Sequence, residues 1–120
     1  MKVVILYYSK GGNTRKLAEA VAEGVGQVDG VEAVLRHTRD VAQADFAAAD
    51  GLIVGSPVYF GTMAAQLKQV LDDFIGVRKK MENKVGAAFA TSGDASGGKE
   101  TTMMSIIQAL LIYGMIIVGD

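Results

Sequence analysis

The stretch that decides the fold reads YYSKGGNT and covers residues 7–14. An apolar run precedes it at residues 3–6, and a segment with helical periodicity follows it at residues 14–25. A buried strand, a glycine-containing loop and an amphipathic helix in this order predict the first half of a βαβ unit. Arg15 and Lys16 stand at the start of the helix, where the helix dipole disfavours cations. Such a break of a local rule points to a functional loop.

The same alternation of strand and helix continues along the chain. Apolar runs predict five strands, at residues 3–7, 31–35, 52–55, 85–90 and 115–118. Helical periodicity predicts long helices at residues 14–25, 62–75 and 98–113, with a short helix or turn at 45–50. We therefore expect a single α/β domain over residues 1–120, with a parallel sheet between two layers of helices. The sequence stops after the fifth strand, so we expect apolar sheet surface that meets unusual packing, a partner subunit or a segment removed by truncation.

Composition argues against several classes of protein. The formal net charge is −1, with 12 Lys and Arg against 13 Asp and Glu, so we expect no nucleic-acid partner. The chain has no cysteine and His37 is its single histidine, so we expect no metal site, disulfide or cysteine-ligated cluster. Residues 103–119 are apolar but interrupted, which favours a buried helix and strand over membrane insertion. We expect a cytoplasmic protein without a signal peptide.

Polar and glycine residues concentrate in three loops. The first loop covers residues 9–14, the second residues 56–62 and the third residues 91–98. Each follows a predicted strand, and the carboxyl ends of parallel strands share one edge of a sheet, where ligands bind. The sequence therefore predicts one cleft formed by the three loops.

The first loop has the composition of an anion-binding turn. Gly11, Gly12 and Asn13 tolerate positive φ, which lets successive backbone N–H groups converge on an anion. Ser9 and Thr14 carry hydroxyl groups that can donate to phosphate oxygens, and we expect Thr14 to cap the helix. A plain strand–helix turn also favours glycine and asparagine, so the loop alone leaves both interpretations open.

The second and third loops add groups that a phosphate alone does not need. Tyr59 and Phe60 are adjacent aromatics between Pro57 and Gly61, and they suit a ligand that has a flat ring as well as a phosphate. The alternative for Phe60 is packing in the core. In the third loop, hydroxyl and backbone groups of residues 91–93 can reach the polar edge of a ring. No residue has the pattern of an acid–base catalyst, and a solvated carboxylate is the expectation for Asp94.

The combination of loops resembles the flavodoxin-like, FMN-binding proteins, most closely the WrbA-like NAD(P)H:quinone oxidoreductases and related multimeric flavodoxins. YYSKGGNTRKLAEAVAEG, residues 7–24, is similar to their phosphate loop and first helix. GSPVYFGTMAAQLKQVLD, residues 55–72, is similar to their ring-binding loop, and residues 91–119 are similar to their third loop and following helix. The resemblance implies a flavodoxin-like three-layer sandwich whose five-stranded parallel sheet has the order 2-1-3-4-5, with the C-terminal helix apparently missing.

The resemblance also implies a cofactor and its site. The residues implied to bind the FMN phosphate are Ser9, Lys10, Gly11, Gly12, Asn13 and Thr14. Those implied to flank the isoalloxazine are Pro57, Val58, Tyr59, Phe60 and Gly61. Those implied to contact the ring or ribityl chain, or to close the third loop, are Thr91, Ser92, Gly93, Gly97 and Gly98.

Three functions remain open at this point. The first is an oxidoreductase that uses NAD(P)H as reductant and a quinone as small-molecule acceptor, and the resemblance implies a homo-oligomer. The second is a flavodoxin-type electron carrier that docks on a redox protein. Carriers usually have a strongly acidic face, so the net charge of −1 argues mildly against this function. The third is a non-redox module that binds another phosphate ligand.

Overall fold

The structure is a computed structural model that describes residues 1–119. The strands are β1 Lys2–Tyr7, β2 Glu32–His37, β3 Gly51–Pro57, β4 Val85–Thr91 and β5 Ile116–Ile117. The helices are α1 Asn13–Gly26, α2 Gln43–Ala48, α3 Ala65–Asp73 and α4 Lys99–Ile112, with a 3₁₀ helix at Phe74–Met81. The five strands are parallel and lie in the order β2-β1-β3-β4-β5, which confirms the predicted fold.

Strand β1 is buried on both faces of the sheet. Val4 and Leu6 belong to the large core that contains residues of α2, α3 and α4. Ile5 and Tyr7 belong to a smaller core that contains Ala18 of α1. Successive side chains of a strand point to opposite faces, so a strand between two helical layers needs an uninterrupted apolar run.

A glycine follows helix α4 and ends it. Gly114 has φ of 76°, and its N–H donates to the Leu111 carbonyl while the Met115 N–H donates to the Leu110 carbonyl. These two hydrogen bonds are those of a Schellman motif, which requires a left-handed residue after the last turn. The chain then enters β5 directly.

Part of the sheet face on the α1 side is not covered by residues 1–119. An apolar cleft of about 290 Å³ lies there, and its lining includes Val3, Val25, Ile53 and Ala87. Val85, Ile116 and Val118 at the neighbouring end of the sheet are exposed. The apolar surface expected beside β5 is present. That a partner subunit or a further segment covers it stays a prediction.

Two details differ from the sequence-based expectations. Helix α3 begins at Ala65 and not at residue 62, because residues 59–62 form a turn of their own. Leu17 belongs to the apolar positions whose helical periodicity predicts α1, which should place it in the core, but it is 37% exposed. Among the described helices, none combines the length and the apolar character needed to cross a membrane. Within residues 1–119, no cluster of three or more His, Cys, Asp or Glu side chains is arranged to hold a metal ion.

Candidate functional site

The three predicted loops meet at the carboxyl edge of the sheet and form one cleft of about 190 Å³, here called the loop cleft. Its lining residues are Ser9, Lys10, Gly11, Asn13, Thr14, Pro57, Val58, Tyr59, Thr91, Ser92 and Gly93. Five predicted site residues are outside this lining and shape the loops instead: Gly12, Phe60, Gly61, Gly97 and Gly98. The structure thus brings the three loops together in one place.

The first loop presents backbone N–H groups that the protein leaves free. Among residues 1–119, no protein acceptor receives a hydrogen bond from the N–H of Gly11, Asn13 or Thr14. The Gly12 N–H is used within the loop, where it donates to Ser9 Oγ at 3.1 Å. Free donors at the start of a 14-residue helix suit an anion, because the helix dipole adds a partial positive charge there.

The conformation of the first loop corrects two expectations. Only Gly12 has positive φ, at 97°, whereas Gly11 and Asn13 do not. Gly12 is also the N-cap residue, and no side chain caps α1, so the expectation that Thr14 caps the helix is wrong. Thr14 lies inside the helix, is 2% exposed, and has its Oγ1 at 2.7 Å from Thr91 Oγ1.

The two cations at the start of α1 do not line the loop cleft. Arg15 Nε instead donates to Glu19 Oε1 at 2.9 Å, one turn along the helix. This hydrogen bond with Glu19, followed by the charge of Glu19, raises the pKa of Arg15. Lys10 is the cation that does line the cleft. The unusual positions of Arg15 and Lys16 led to the prediction of a functional loop. The positive charge that lines the cleft, however, belongs to Lys10.

The second loop is held at its exit by hydroxyl groups. Ser56, which is fully buried, accepts a hydrogen bond from the Ala64 N–H at 2.9 Å. Ser105 of α4 accepts one from the Met63 N–H at 3.2 Å. These two N–H groups stand at the start of α3, where helical partners are lacking, so the hydroxyl groups both satisfy them and fix the loop.

The tip of the second loop is a tight turn with a strained residue. The N–H groups of Tyr59 and Thr62 donate to each other's carbonyl oxygens at 3.1 and 3.2 Å. Between them, Phe60 has φ of 51° and Gly61 has φ of 78°, the signs of a type I′ turn. Positive φ is rare for an aromatic residue, and the ring of Phe60 is fully exposed. The alternative that Phe60 packs in the core is therefore wrong, and its backbone strain favours a functional role.

Tyr59 stands between the loop cleft and a second aromatic residue. Its ring lies 6.2 Å from the ring of Tyr8, with an interplanar angle of 72°. Burial, and next the neighbouring Tyr8, raise the pKa of Tyr59 above its ordinary value of 10.0. The phenol of Tyr59 therefore remains protonated at neutral pH and can donate a hydrogen bond at the mouth of the cleft.

The third loop is organised by Asp94 and by two glycines. Asp94 Oδ1 accepts the Ser96 N–H at 3.2 Å, and its carbonyl accepts the Gly97 N–H and the Ser92 hydroxyl. Gly98 has φ of 96°, and a Cβ there would lie 3.2 Å from the Gly61 Cα. The second and third loops therefore come into contact at Gly61 and Gly98, where neither residue has a Cβ. The hydrogen bonds that Asp94 accepts stabilise the conformation of the third loop.

Larger clefts exist elsewhere among the described residues, so it is the lining and not the volume that distinguishes the loop cleft. A cleft of about 640 Å³ lies between α3 and α4, and the apolar cleft on the sheet face has about 290 Å³. The loop cleft is smaller, but it is the one lined by the free N–H groups of the first loop. Sequence reasoning missed Tyr8, Ser56 and Ser105, of which Ser56 could have been noticed as a hydroxyl residue directly before Pro57.

Comparison with known proteins gives a consistent family. The model of the family described as NADPH-dependent FMN reductase matches residues 38–120. A flavodoxin of Aquifex aeolicus is 38% identical over 119 residues, which are 98% of this chain and 64% of the relative. An NAD(P)H dehydrogenase (quinone) of Syntrophobacter fumaroxidans is 40% identical over an alignment of 145 positions, gaps included, which covers 99% of this chain and 71% of the relative. The chain thus spans less than two thirds of the Aquifex protein.

Solved structures agree with this comparison. A flavodoxin, WrbA-like protein from Agrobacterium tumefaciens has a TM-score of 0.83 and 29% identity, over 96% of this chain and 74% of that protein. A flavodoxin from the domain Archaea has a TM-score of 0.87 and 26% identity, over 100% of this chain and 80% of that protein. The first loop lies outside the residues matched by the family model, but it lies within the part of this chain that these structures cover almost completely.

Proposed function

The chain belongs to the family of NADPH-dependent FMN reductases, and from this membership we propose that it binds FMN and transfers electrons from NAD(P)H to a small acceptor such as a quinone. The observation that carries the proposal is the set of free N–H groups of Gly11, Asn13 and Thr14 at the start of α1. A phosphate monoester is the anion that fits such a helix terminus. A flavin phosphate also needs a site for its ring, and the aromatic turn of the second loop lies beside the same cleft.

The donor set of the loop cleft fits FMN part by part. Ser9, Lys10 and Thr14 line the cleft together with the first loop whose N–H groups are free, and these groups suit the phosphate. Thr91 and Ser92 offer hydroxyl groups along the cleft, and these suit the ribityl chain or the polar edge of the ring. Tyr59 lines the mouth of the cleft and offers an aromatic face for stacking.

Bound FMN would supply the redox chemistry, by accepting a hydride from a reduced nicotinamide and passing two electrons to the acceptor. The residues of this chain would bind, orient and shield it. The N–H groups of Tyr59 and Thr62 each donate to the carbonyl oxygen of the other residue. These two hydrogen bonds fix the turn against which the flavin ring would lie. Phe60 would extend beyond the ring edge, where an incoming acceptor could contact its exposed side chain.

The second candidate function is that of an electron carrier. One curated relative at 38% identity is named a flavodoxin. Docking of such a carrier on a redox protein is commonly steered by a strong surface charge, and the formal net charge here is −1. The charge therefore favours the oxidoreductase. A module that binds only a phosphate ligand, without redox chemistry, would not need the aromatic turn of the second loop.

Two measurements on the purified protein test the proposal. The first is titration of the apoprotein with FMN, followed by flavin fluorescence, which should show saturable binding tighter than that of riboflavin. The second is anaerobic addition of NADH or NADPH to the FMN-loaded protein, which should bleach the flavin absorbance before a quinone restores it. Bleaching only after a separate reductase is added would select the carrier, and failure to bind FMN would overturn both redox functions.

A further inference from the structure

His37, the last residue of β2, stands beside the first loop but does not line the loop cleft. Its half-buried ring packs against two aromatic rings, that of Tyr7 at 5.2 Å and that of Tyr8 at 5.7 Å between centroids. The backbone on which the ring stands is also held. The Thr38 N–H donates to the Tyr7 carbonyl oxygen at 3.0 Å, which continues the pairing of β2 with β1. The imidazole edge therefore has a defined direction.

The two ring nitrogens of His37 have different partners. Nδ1 accepts a hydrogen bond from the backbone N–H of Arg39 at 3.2 Å, so this nitrogen carries no proton. Nε2 lies 3.5 Å from the Ser9 carbonyl oxygen, which can only accept. The surroundings thus select the neutral tautomer with its proton on Nε2. In this form the ring accepts from the segment after β2 and donates to the first loop.

This contact anchors the first loop to the rest of the protein. Among residues 1–119, the backbone of residues 9–13 has no other hydrogen bond to a residue outside the loop and α1. The next anchor along the chain is Thr14, whose hydroxyl contacts that of Thr91. The free N–H groups of the first loop therefore lie between two anchors, of which His37 is the first.

The contact with His37 also sets the direction of a further backbone donor. In a planar trans peptide the carbonyl oxygen and the N–H point to opposite sides. Since the Ser9 carbonyl oxygen points to His37, the Lys10 N–H of the same peptide points away from His37. No acceptor within the described residues receives this N–H, and Lys10 lines the loop cleft. Hydrogen bonds weaken steeply when misaligned, so the orientation of this peptide decides whether its N–H can serve an anion.

We propose that His37 is a positioning residue for the phosphate of the flavin. Its Nε2–H holds the Ser9 carbonyl oxygen, and the Lys10 N–H thereby joins the free donors of the first loop. This assignment deepens the proposed function and rests on it, because it takes the FMN phosphate as the anion. It gives a role to a side chain that does not touch the cofactor itself.

The first test determines the tautomer in the full chain without flavin. A long-range proton–nitrogen correlation spectrum is recorded at a pH of about 8.5, where imidazole side chains are neutral. We expect His37 to show a protonated Nε2 and an unprotonated Nδ1. A proton on Nδ1, or an even mixture of the two tautomers, would overturn the assignment, because Nε2 would then not donate to Ser9.

Substitutions at position 37 separate the two hydrogen bonds of the ring. His37→Gln keeps a donor, because its amide nitrogen stands as many bonds from the Cα as Nε2 of histidine does. His37→Asn keeps an acceptor for the Arg39 N–H, in the manner of an Asx turn, but is too short to reach Ser9. His37→Leu removes both hydrogen bonds.

Fluorescence titration of these variants with FMN and riboflavin is the second test. His37→Asn and His37→Leu should raise the dissociation constant of FMN by about threefold to tenfold, as expected for one hydrogen bond, and that of riboflavin by less than about twofold. His37→Gln should restore most of the affinity for FMN. Thr38→Val is the matched control, because it removes a hydroxyl 3.4 Å from Nδ1 and neither of the two bonds.

Two results of these titrations would contradict a positioning role. Equal weakening of FMN and riboflavin by His37→Leu would show that the ring only stabilises the fold. A larger loss of FMN affinity in His37→Gln than in His37→Asn would show that the bond to Arg39 matters and the bond to Ser9 does not.

Titration with inorganic phosphate separates this inference from the proposed function. The amide resonances of residues 10–14 are followed, and we expect the Lys10 N–H to respond, with binding about threefold to tenfold weaker in His37→Leu. If this difference is seen but FMN does not bind, the role of His37 stands and the redox function is wrong. If FMN binds and is bleached by a reduced nicotinamide nucleotide, yet His37→Leu changes neither titration, the oxidoreductase stands and the role of His37 is wrong.

Discussion

The hydroxyl oxygens of Thr14 and Thr91 lie 2.7 Å apart, and this contact joins residues that are 77 positions apart in the sequence. Thr14 follows the first loop and Thr91 ends β4, and strand β3 lies between their strands in the sheet. Both threonines line the loop cleft, so the hydrogen bond joins the first loop to the third within the wall of the cleft. It fixes the position of the first loop relative to the third.

Replacement of Thr14 separates the phosphate contact from this inter-loop contact. Thr14→Val removes the hydroxyl that shares a hydrogen bond with Thr91, in which either oxygen can be the donor, and that can donate to a phosphate oxygen when Thr91 donates to it. We expect the dissociation constant of FMN to rise about tenfold or more, since hydrogen bonds to charged groups contribute about 1.5–3 kcal/mol. Thr91→Val is the matched control, because it breaks the same inter-loop bond without touching the phosphate.

Riboflavin, which has no phosphate, completes the comparison. Fluorescence titrations should show that Thr91→Val weakens FMN and riboflavin by the same factor, because both flavins carry the ribityl chain and the ring. Thr14→Val should weaken FMN more than riboflavin. If Thr14→Val weakened the two flavins equally, Thr14 would have no part in binding the phosphate.

The fold was predictable from the sequence because its signals are local and repeated. A strand buried on both faces must be apolar throughout, as Val4 and Ile5 are, and a parallel sheet needs helical crossovers. The carboxyl-edge rule then placed the three loops together without knowledge of any contact. The Schellman turn at Gly114 was predictable for the same reason, since its geometry depends on a single residue type.

The details of the site were less predictable because they depend on pairs of distant residues. No local pattern indicates that Thr14 bonds Thr91, or that Ser56 accepts a hydrogen bond from the N–H of Ala64, directly before α3. The turn at Phe60 was missed because aromatic residues avoid positive φ unless the surrounding structure imposes it.

We expect the hydroxyl group of Ser56 to contribute both to the stability of the protein and to the binding of the flavin ring. Ser56→Ala leaves the buried N–H of Ala64 without a partner, which should lower the free energy of unfolding by about 1–3 kcal/mol. The freed loop should also bind the flavin ring less tightly. Urea denaturation of the apoprotein measures the first effect and FMN titration measures the second.

Ser105→Ala is the control for Ser56, because it removes the other hydroxyl that anchors the loop but lies outside the sheet. Its bond to the Met63 N–H is longer, at 3.2 Å, and only partly buried. We expect a smaller loss of stability than for Ser56→Ala. An unchanged unfolding free energy in Ser56→Ala would show that the Ala64 N–H finds another partner.

The ring of Phe89 on the neighbouring strand occupies the space where a side chain at position 55 would lie, so we expect only glycine to fit there. A Cβ at Gly55 would lie 2.0, 2.1 and 2.5 Å from three ring carbons of Phe89. Overpacking of this kind typically costs about 1–3 kcal/mol, so Gly55→Ala should lower the unfolding midpoint in urea. Gly51→Ala on the same strand is the control, since its nearest neighbour, the Val85 carbonyl oxygen, is 3.4 Å away.

A second substitution tests the cause of the effect at Gly55. Adding Phe89→Leu to Gly55→Ala should recover part of the lost stability, because the smaller side chain makes room for the new methyl group. Phe89→Leu alone should destabilise the protein by loss of packing. Purely additive effects of the two substitutions would contradict a steric clash between these residues.

Tyr113 is expected to make stability depend on pH in the alkaline range. Its buried hydroxyl donates to the Leu71 carbonyl oxygen at 2.6 Å and so ties α4 to α3. Burial, and next the charge of Asp72, raise the pKa of Tyr113 from its ordinary value of 10.0 to about 12. Because the pKa is higher in the folded state, the contribution of this phenol is complete below pH 10 and is lost as pH rises through about 12.

Tyr113→Phe isolates this contribution from other groups that titrate in the same range. At pH 8 the variant should be less stable by about 1 kcal/mol, because the hydrogen bond to Leu71 is lost. Between pH 10 and about 12 the wild-type protein should lose stability that the variant does not have, so the difference between them should shrink. Urea unfolding at a series of pH values measures this difference. A difference that stays constant up to pH 12 would show that the phenol of Tyr113 ionises at the same pH in the folded and unfolded chains.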